Sequence, residues 1–549
     1  MLVLPVAFAL LLAPQSALKE TLEVRLQNVD IVVTDAAGKP VNGLRADDFE
    51  VLEDGARMPI TNFVAFEGDI IASTSSVLAP PPPRTLVFFI DAMNLEERTT
   101  VDLQNSFGKL LDTMRDGDSA AIVRANGSDV ALTMLHDRAS VEAALAAALK
   151  PGGRTGLESE YASFRNELMG VAGLDDAMQV ARRHAGKARS RVVQRIGTLR
   201  AIITAIAPLP GRKAVIAVTQ SLAAQPGKDF FELFDHNYNT IRRAVECQPL
   251  DNTCGRKKRR DSGAMMRARE LDYVDLRPAI AELSRIASSK SVSLYVVRPA
   301  ADISLTGVSQ QLTDRPSNLA GGLAFVRDAI QNTNEAADPM ANITGGRHFH
   351  PGDNLDVAMQ RIAGDLSSYY SLAYHARSEV DAVHRLEVRV RNRPDAQVRA
   401  RSEVERRSIE RDLTDRVVAS LMQRDAPNDL HIGVHTVPVA GTKNETAVEI
   451  RIPLSAMTFE KKGDVYRARY NAHYAISGNG VDFLSGVDLD GTIDVPAADW
   501  PAARAKHWTH VVTFPRLPQD YRVAVGVMDV ANERSGIATM SLGAEEGRW

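Results

Sequence analysis

The feature that most constrains this chain is an unbroken apolar run, Leu86-Val87-Phe88-Phe89-Ile90, that stops at Asp91. A strand with one wet face alternates apolar and polar residues. A run with no alternation belongs to a strand buried on both faces, the situation of a parallel sheet covered by helices. The period then changes: Leu103, Phe107, Leu111 and Met114 recur at helical spacing. The same alternation continues downstream. Strand-like Ser119–Arg124 and Val130–Leu135 precede a helical stripe at Val141, Leu145 and Leu149. A helical stretch from Leu199 to Ile206 precedes Ala214–Thr219, and a helix closing at Leu283–Ala287 precedes Val292–Val297. Strands alternating with helices imply right-handed crossovers, so the span 85–375 reads as α/β, a doubly wound and mostly parallel sheet. Within it, 224–275 and 301–335 read as insertions.

The flanks have strand period instead. Residues 20–70 form a β module, with Glu53-Asp54-Gly55 as a hairpin signal. Residues 71–84, with four prolines at Pro80–Pro83, are a Pro-rich linker. Residues 376–405 read as a trailing β-hairpin, and 406–425 as a connector helix striped by Leu413, Val417 and Leu421. The remainder, 426–549, has strands separated by turns such as Asp490-Gly491 and reads as an immunoglobulin-like β-sandwich.

The N-terminus is apolar from Leu2 to Ala13 and is followed by small residues up to Ala17. It is too short to span a bilayer, which takes ~20 residues. The reading is a signal peptide over 1–17, which places the mature chain outside the cytoplasm, periplasmic or secreted. No later apolar stretch is long enough to form a transmembrane segment. In that compartment Cys247 and Cys254 are expected to form a disulfide around a small loop. Lys and Arg total 65 against 69 Asp and Glu, so no basic surface is available for nucleic acid.

Several segments together resemble bacterial von Willebrand factor type A-related proteins, an exported family with a β preamble before an A-type domain. They are Val29–Asp35 with Gly38-Lys39-Pro40-Val41, Asp47–Gly55, Leu86–Asp91, Gly211–Ile216, Thr344-Gly345-Gly346, Tyr369–Tyr374, and His384–Val390 with Val398–Arg401. The resemblance spans roughly residues 22–405. It implies an A-type sheet whose carboxyl-end rim carries a Mg²⁺-dependent adhesion site built as D-x-S-x-S, a loop threonine and a later aspartate. Asp91 matches the first aspartate, and Thr155 stands where the loop threonine would be. The serine positions hold Met93 and Leu95, and the later aspartate is replaced by Gln220. Methionine and leucine offer no hard oxygen to Mg²⁺. The site is therefore read as eroded, Asp91 as a solvated or capping carboxylate, and no cofactor is expected. Mg²⁺ is the alternative, with Asn94, Asp118 or a partner's carboxylate compensating.

Other constellations are weaker. Asp488–Asp494 lacks the terminal carboxylates of a Ca²⁺ loop and reads as a turn. His348 and His350 share one strand face but have no third ligand nearby in sequence, so they read as a surface strand end. The basic residues between Arg182 and Arg191, and the run Arg256–Arg260, read as solvated faces. No nucleophile elbow, Walker loop or H-E-x-x-H motif occurs. The function expected is a non-enzymatic, exported interaction protein. Its protein partner would meet the carboxyl-end loops around Asp91–Glu97 and Gly152–Glu158 and the cysteine-bearing insertion. Metal-dependent adhesion, or a hydrolase using His348 and His350, are the alternatives.

Overall fold

The structure is a computed structural model. It describes residues 26–68, 70–72, 82–91, 95, 97–125, 132–150, 157–171, 174–234, 274–299, 319–376, 380–421, 427–437, 445–478, 482–485, 489–515 and 521–542. The expected signal peptide, most of the Pro-rich linker, Met93, Asn94, Thr155, Cys247, Cys254 and Arg256–Arg260 lie outside the described residues.

The chain opens with strands β1 (Leu26–Thr34), β2 (Phe49–Glu53), β3 (Ala56–Met58), β4 (Ile60–Glu67) and β5 (Ile70–Ala72). It then enters the central sheet through β6 (Arg84–Ile90) and β7 (Ser119–Arg124). β8 (Arg212–Val218), β9 (Val292–Val297) and β10 (His348–Phe349) complete that sheet. Its order is β10-β9-β8-β6-β7, and every pairing is parallel. Of the run expected as a strand at Val130–Leu135, the described part contributes one antiparallel bridge, Leu135 to Ala120, at the β7 edge.

Alternate residues of each strand feed two separate cores. Val87, Phe89, Val215, Ala217, Leu294 and Val296 face helices α4 (Leu174–Ile206), α5 (Arg277–Ser289) and α6 (Leu319–Thr344). Leu86, Phe88, Ile90, Ile216, Val218 and Val297 face α1 (Glu97–Leu111), α2 (Arg138–Leu149) and α7 (Leu355–Ser367). Helices on both faces explain why the strand runs do not alternate. On α1, Leu103, Phe107, Leu110 and Leu111 are all buried, and Phe107 meets Phe88 edge to face at 5.1 Å. Each such side chain contributes about 1.5–3 kcal/mol by leaving water. The C-terminal part of α6 belongs to the opposite core, with Val87 and Phe89, through Ala336, Ala337 and Met340. Helix α3 (Leu157–Met169), the first half of α4 and Phe230, Phe231 and Phe234 form a satellite core beside it.

The two ends of β6 carry opposite electrostatic fixtures. At its start Arg84 and Asp118 are both buried, the Arg84 backbone N–H donating to Asp118 at 2.8 Å and its Nε at 2.9 Å. Asp91 lies past the other end, and seven strand residues span about 23 Å. Asp118 is therefore committed to the base of the sheet and cannot serve a site at Asp91, contrary to the expectation that allowed it as a compensating ligand.

After α7 the chain does not form an isolated hairpin. β11 (Ser368–His375) inserts between β1 and β4, β12 (Val383–Val390) pairs with β2, and β13 (Gln397–Arg399) pairs with β1. β14 (Glu403–Glu405) extends the β12 edge. Val29, Ile31, Phe49, Val51, Tyr370, Leu372 and Leu386 share one core. Segments 20–70 and 376–405, read above as separate, thus form a single module, and β11 belongs to it rather than to the central sheet. Hairpin signals identify only neighbours along the chain, so this pairing was invisible to them.

Helix α8 (Ile409–Ser420) packs Leu413, Val417 and Val418 against Ala524 and Met528 of the C-terminal body. Its fully buried Asp415 is ion-paired by Arg200 of α4 and, at 3.2 Å, by Arg407. That body holds β15 (Gly433–Val437), β16 (Glu445–Pro453), β17 (Glu460–Lys462), β18 (Val465–Gly478), β19 (Asp482–Ser485), β20 (Leu489–Pro496), β21 (His507–Pro515), β22 (Tyr521–Asp529) and β23 (Ser535–Ser541). They form two antiparallel sheets with a common core. Asp490-Gly491 is not a turn but lies inside β20, where a Cβ on Gly491 would come within 2.3 Å of the Tyr470 ring. Glycine there admits a close approach.

Candidate functional site

The strand order reverses direction at β6, which has β7 on one side and β8 on the other. Crevices at such a switch point are where open α/β sheets bind ligands. Asp91 sits there: its backbone N–H donates to Val218 at 2.9 Å, which holds it level with the tip of β8. It is 2% exposed, so it is neither a solvated nor a capping carboxylate. Arg195 of α4, itself 3% exposed, grips it with a two-pronged contact, Nε to Oδ2 at 2.7 Å and Nη2 to Oδ1 at 2.9 Å. Thr219 Oγ1 donates to Oδ2 at 3.0 Å, and the Ser221 hydroxyl donates to the same oxygen.

The electrostatics follow from that geometry. Burial is the largest influence and opposes ionisation. The charge of Arg195 and hydrogen bonds from Arg195, Ser221 and Thr219 outweigh it, holding the Asp91 carboxyl below its usual range. A paired, hydrogen-bonded buried carboxylate is stable only as a set. The cation at this rim is the protein's own guanidinium. A Mg²⁺ ion would have to displace Arg195 or sit beside a second positive charge.

Leu95 and Gln220, the described residues expected to stand in for ligands at this rim, are engaged elsewhere. Leu95 is 7% exposed and packs into the α1-side core. The Gln220 amide donates to the Pro299 carbonyl at 3.1 Å. Arg195 and Ser221 were not singled out as site residues from the sequence. A signal for Arg195 was present: it lies three residues after Val192 and four before Leu199, on the buried stripe of α4. An arginine on an apolar stripe needs a buried partner. The neighbouring basic residues are likewise not all solvated. His184 is 2% exposed and contacts Glu167 at 3.1 Å, while Arg191 is paired with Glu160.

A second group of titratable side chains occupies the far edge of the same rim. β10 pairs His348 with Val296 and Phe349 with Val297, so His348 and His350 emerge at the carboxyl end of the sheet. The His348 ring is not at the surface: its side chain is 3% exposed. Its Nδ1 lies 2.8 Å from Oδ1 of Asp338, supplied by α6, and its Nε2 has no hydrogen-bond partner. The His350 ring is centred 4.1 Å from that of His348. Burial, the largest effect, disfavours the His348 cation. The Asp338 bond opposes this, and the charges of His350 and Arg298 reinforce it, leaving the imidazole with a lowered affinity for protons. The third group that the sequence did not place beside the two histidines is therefore Asp338. It precedes Pro339 within α6, ten residues from His348, and periodicity gives no hint of the approach.

No family model matches the chain, and no curated protein matches it. Among solved structures, the human COPII-coat protein Sec24c is similar at a TM-score of 0.20 and 9% identity. The match covers 84% of this chain and 44% of that one, and a score so low carries no argument.

Proposed function

We propose that the chain is an exported, non-enzymatic interaction protein of von Willebrand A type, which meets a protein partner at the carboxyl-end rim of its central sheet without a bridging metal. The observation that carries this reading is the Asp91–Arg195 pair: the carboxylate that would anchor a cation is already neutralised by a guanidinium at 2.7 and 2.9 Å. The order of the parallel strands and the Leu135 bridge at the β7 edge support the A-type assignment. Loops at the ends of a rigid sheet tolerate variation and can carry partner contacts. Placement outside the cytoplasm rests on the N-terminal sequence alone. Among the described residues no helix is long and apolar enough to cross a membrane.

A hydrolytic reading would use His348, held by Asp338, as a base. Binding is favoured over it because His348 Nε2 has no hydrogen-bond partner, whereas a triad places its nucleophile there. The test is calorimetric titration of the full chain and of Asp91→Ala with Mg²⁺, Mn²⁺ and Ca²⁺. The expected result is no difference between the two proteins. Tight binding of Mg²⁺ that disappears in the variant would overturn the metal-independent reading.

A further inference from the structure

We propose that Asp338, His348 and His350 form a binding site for a borderline divalent metal of the zinc class, separate from the rim position at Asp91. The three side chains each bring one donor atom, and these atoms all lie within 4.8 Å of one another. His348 opens the edge strand β10, His350 follows its last residue, and Asp338 comes from α6, so the sheet edge and a packed helix bring the donors from two directions. Ligands about 2.1 Å from a tetrahedral zinc stand about 3.4 Å apart. The cluster therefore needs to contract by at most roughly 1.4 Å, a movement of exposed side chains. His350 is exposed and the Asp338 side chain is 49% exposed, so both can close onto the buried ring.

The buried ring is the second, independent observation. An imidazole 97% removed from water ordinarily satisfies both nitrogens, since an unpaired buried polar atom costs about 1–3 kcal/mol. Here only Nδ1 has a partner, and that partner is the carboxylate of the same cluster.

Donor chemistry selects the ion. Two imidazoles and one carboxylate suit zinc, cobalt or nickel, whereas Mg²⁺ and Ca²⁺ require oxygen ligands. Three protein ligands leave one tetrahedral position for water or for a donor from a partner docked on the rim. Arg298 acts against very tight binding. Its positive charge lies close enough to disfavour protonation of His348, and Nη1 is held by Asn334 at 2.6 Å. Affinity is accordingly expected in the micromolar range.

The experiment uses the full, untagged chain. Zn²⁺ is titrated in competition with a chromophoric chelator, and Co²⁺ is added separately to read its visible absorption. The expected result is one equivalent of Zn²⁺ at micromolar affinity, a tetrahedral Co²⁺ spectrum, and no competition from millimolar Mg²⁺. His350→Ala should weaken Zn²⁺ at least tenfold, and Asp338→Asn by a comparable factor, with far-UV circular dichroism unchanged. His350 is exposed, so its replacement leaves the fold intact. Absence of saturable Zn²⁺ binding, or binding that both variants retain undiminished, would overturn the proposal. Neither outcome bears on Asp91, whose Mg²⁺ titration is read in a different variant.

Discussion

Replacing Arg195 by methionine removes the counter-charge of Asp91 while retaining most of the side-chain volume. The side chains of Arg195 and Asp91 are 4% and 1% exposed. The variant leaves an ionised carboxylate sealed at the sheet tip, with only the Thr219 and Ser221 hydroxyls donating to it. Breaking one member of a buried pair costs about 3–5 kcal/mol. Spread over a body of this size, at roughly 2–4 °C per kcal/mol, the central transition should fall by roughly 6–20 °C. Replacing Asp91 by leucine in the same protein removes the stranded charge, and an apolar pair of similar volume often restores or exceeds the original stability. The double variant also strands two hydroxyl donors, at about 1 kcal/mol each. It should therefore recover about 1–3 kcal/mol of the single variant's loss.

The assay is differential scanning calorimetry supported by far-UV circular dichroism. All three tryptophans lie at or beyond Trp500, so intrinsic fluorescence follows the C-terminal part and not the central sheet. Several bodies in one chain also mean that the central transition must be resolved before a free energy is assigned. An Arg195→Met protein within about 1 kcal/mol of wild type would refute the reasoning, because surface pairs have that small value and buried ones do not. A double variant whose loss equals the sum of the two singles would refute it equally.

Three further outcomes are expected. Because the Asp91 carboxyl ionises more readily folded than unfolded, its contribution to stability is complete above the unfolded pKa near 3.9 and is lost as pH falls through the lower folded value. Calorimetry across acid pH should show a shallower loss for the Asp91→Leu, Arg195→Met double variant, and an unchanged slope would contradict the pairing. Phe107→Ala, at a fully buried position against Phe88, should cost about 3–5 kcal/mol in the central transition, and a loss below about 1 kcal/mol would deny Phe107 its place in that core. Gly346→Ala would put a Cβ 1.9 Å from the Leu294 carbonyl oxygen, so it should destabilise by about 1–3 kcal/mol or more and shift β9 away from β10, whereas a neutral result in the same melt would show that the approach is looser.

The sequence by itself determined the layered α/β centre, because burial on two faces removes alternation from a strand and a helix must restore it at a different period. It also placed the tip of the first buried strand at Asp91. Tertiary structure decided what Asp91 does. Arg195 lies more than a hundred positions away and reaches it only because α4 packs on the sheet, so charge pairing across helix and strand leaves no local periodicity. The same holds where β1 finds β11 and β13, and where Asp338 finds His348: hydrophobic pattern reports which side of an element is buried, not which distant element buries it.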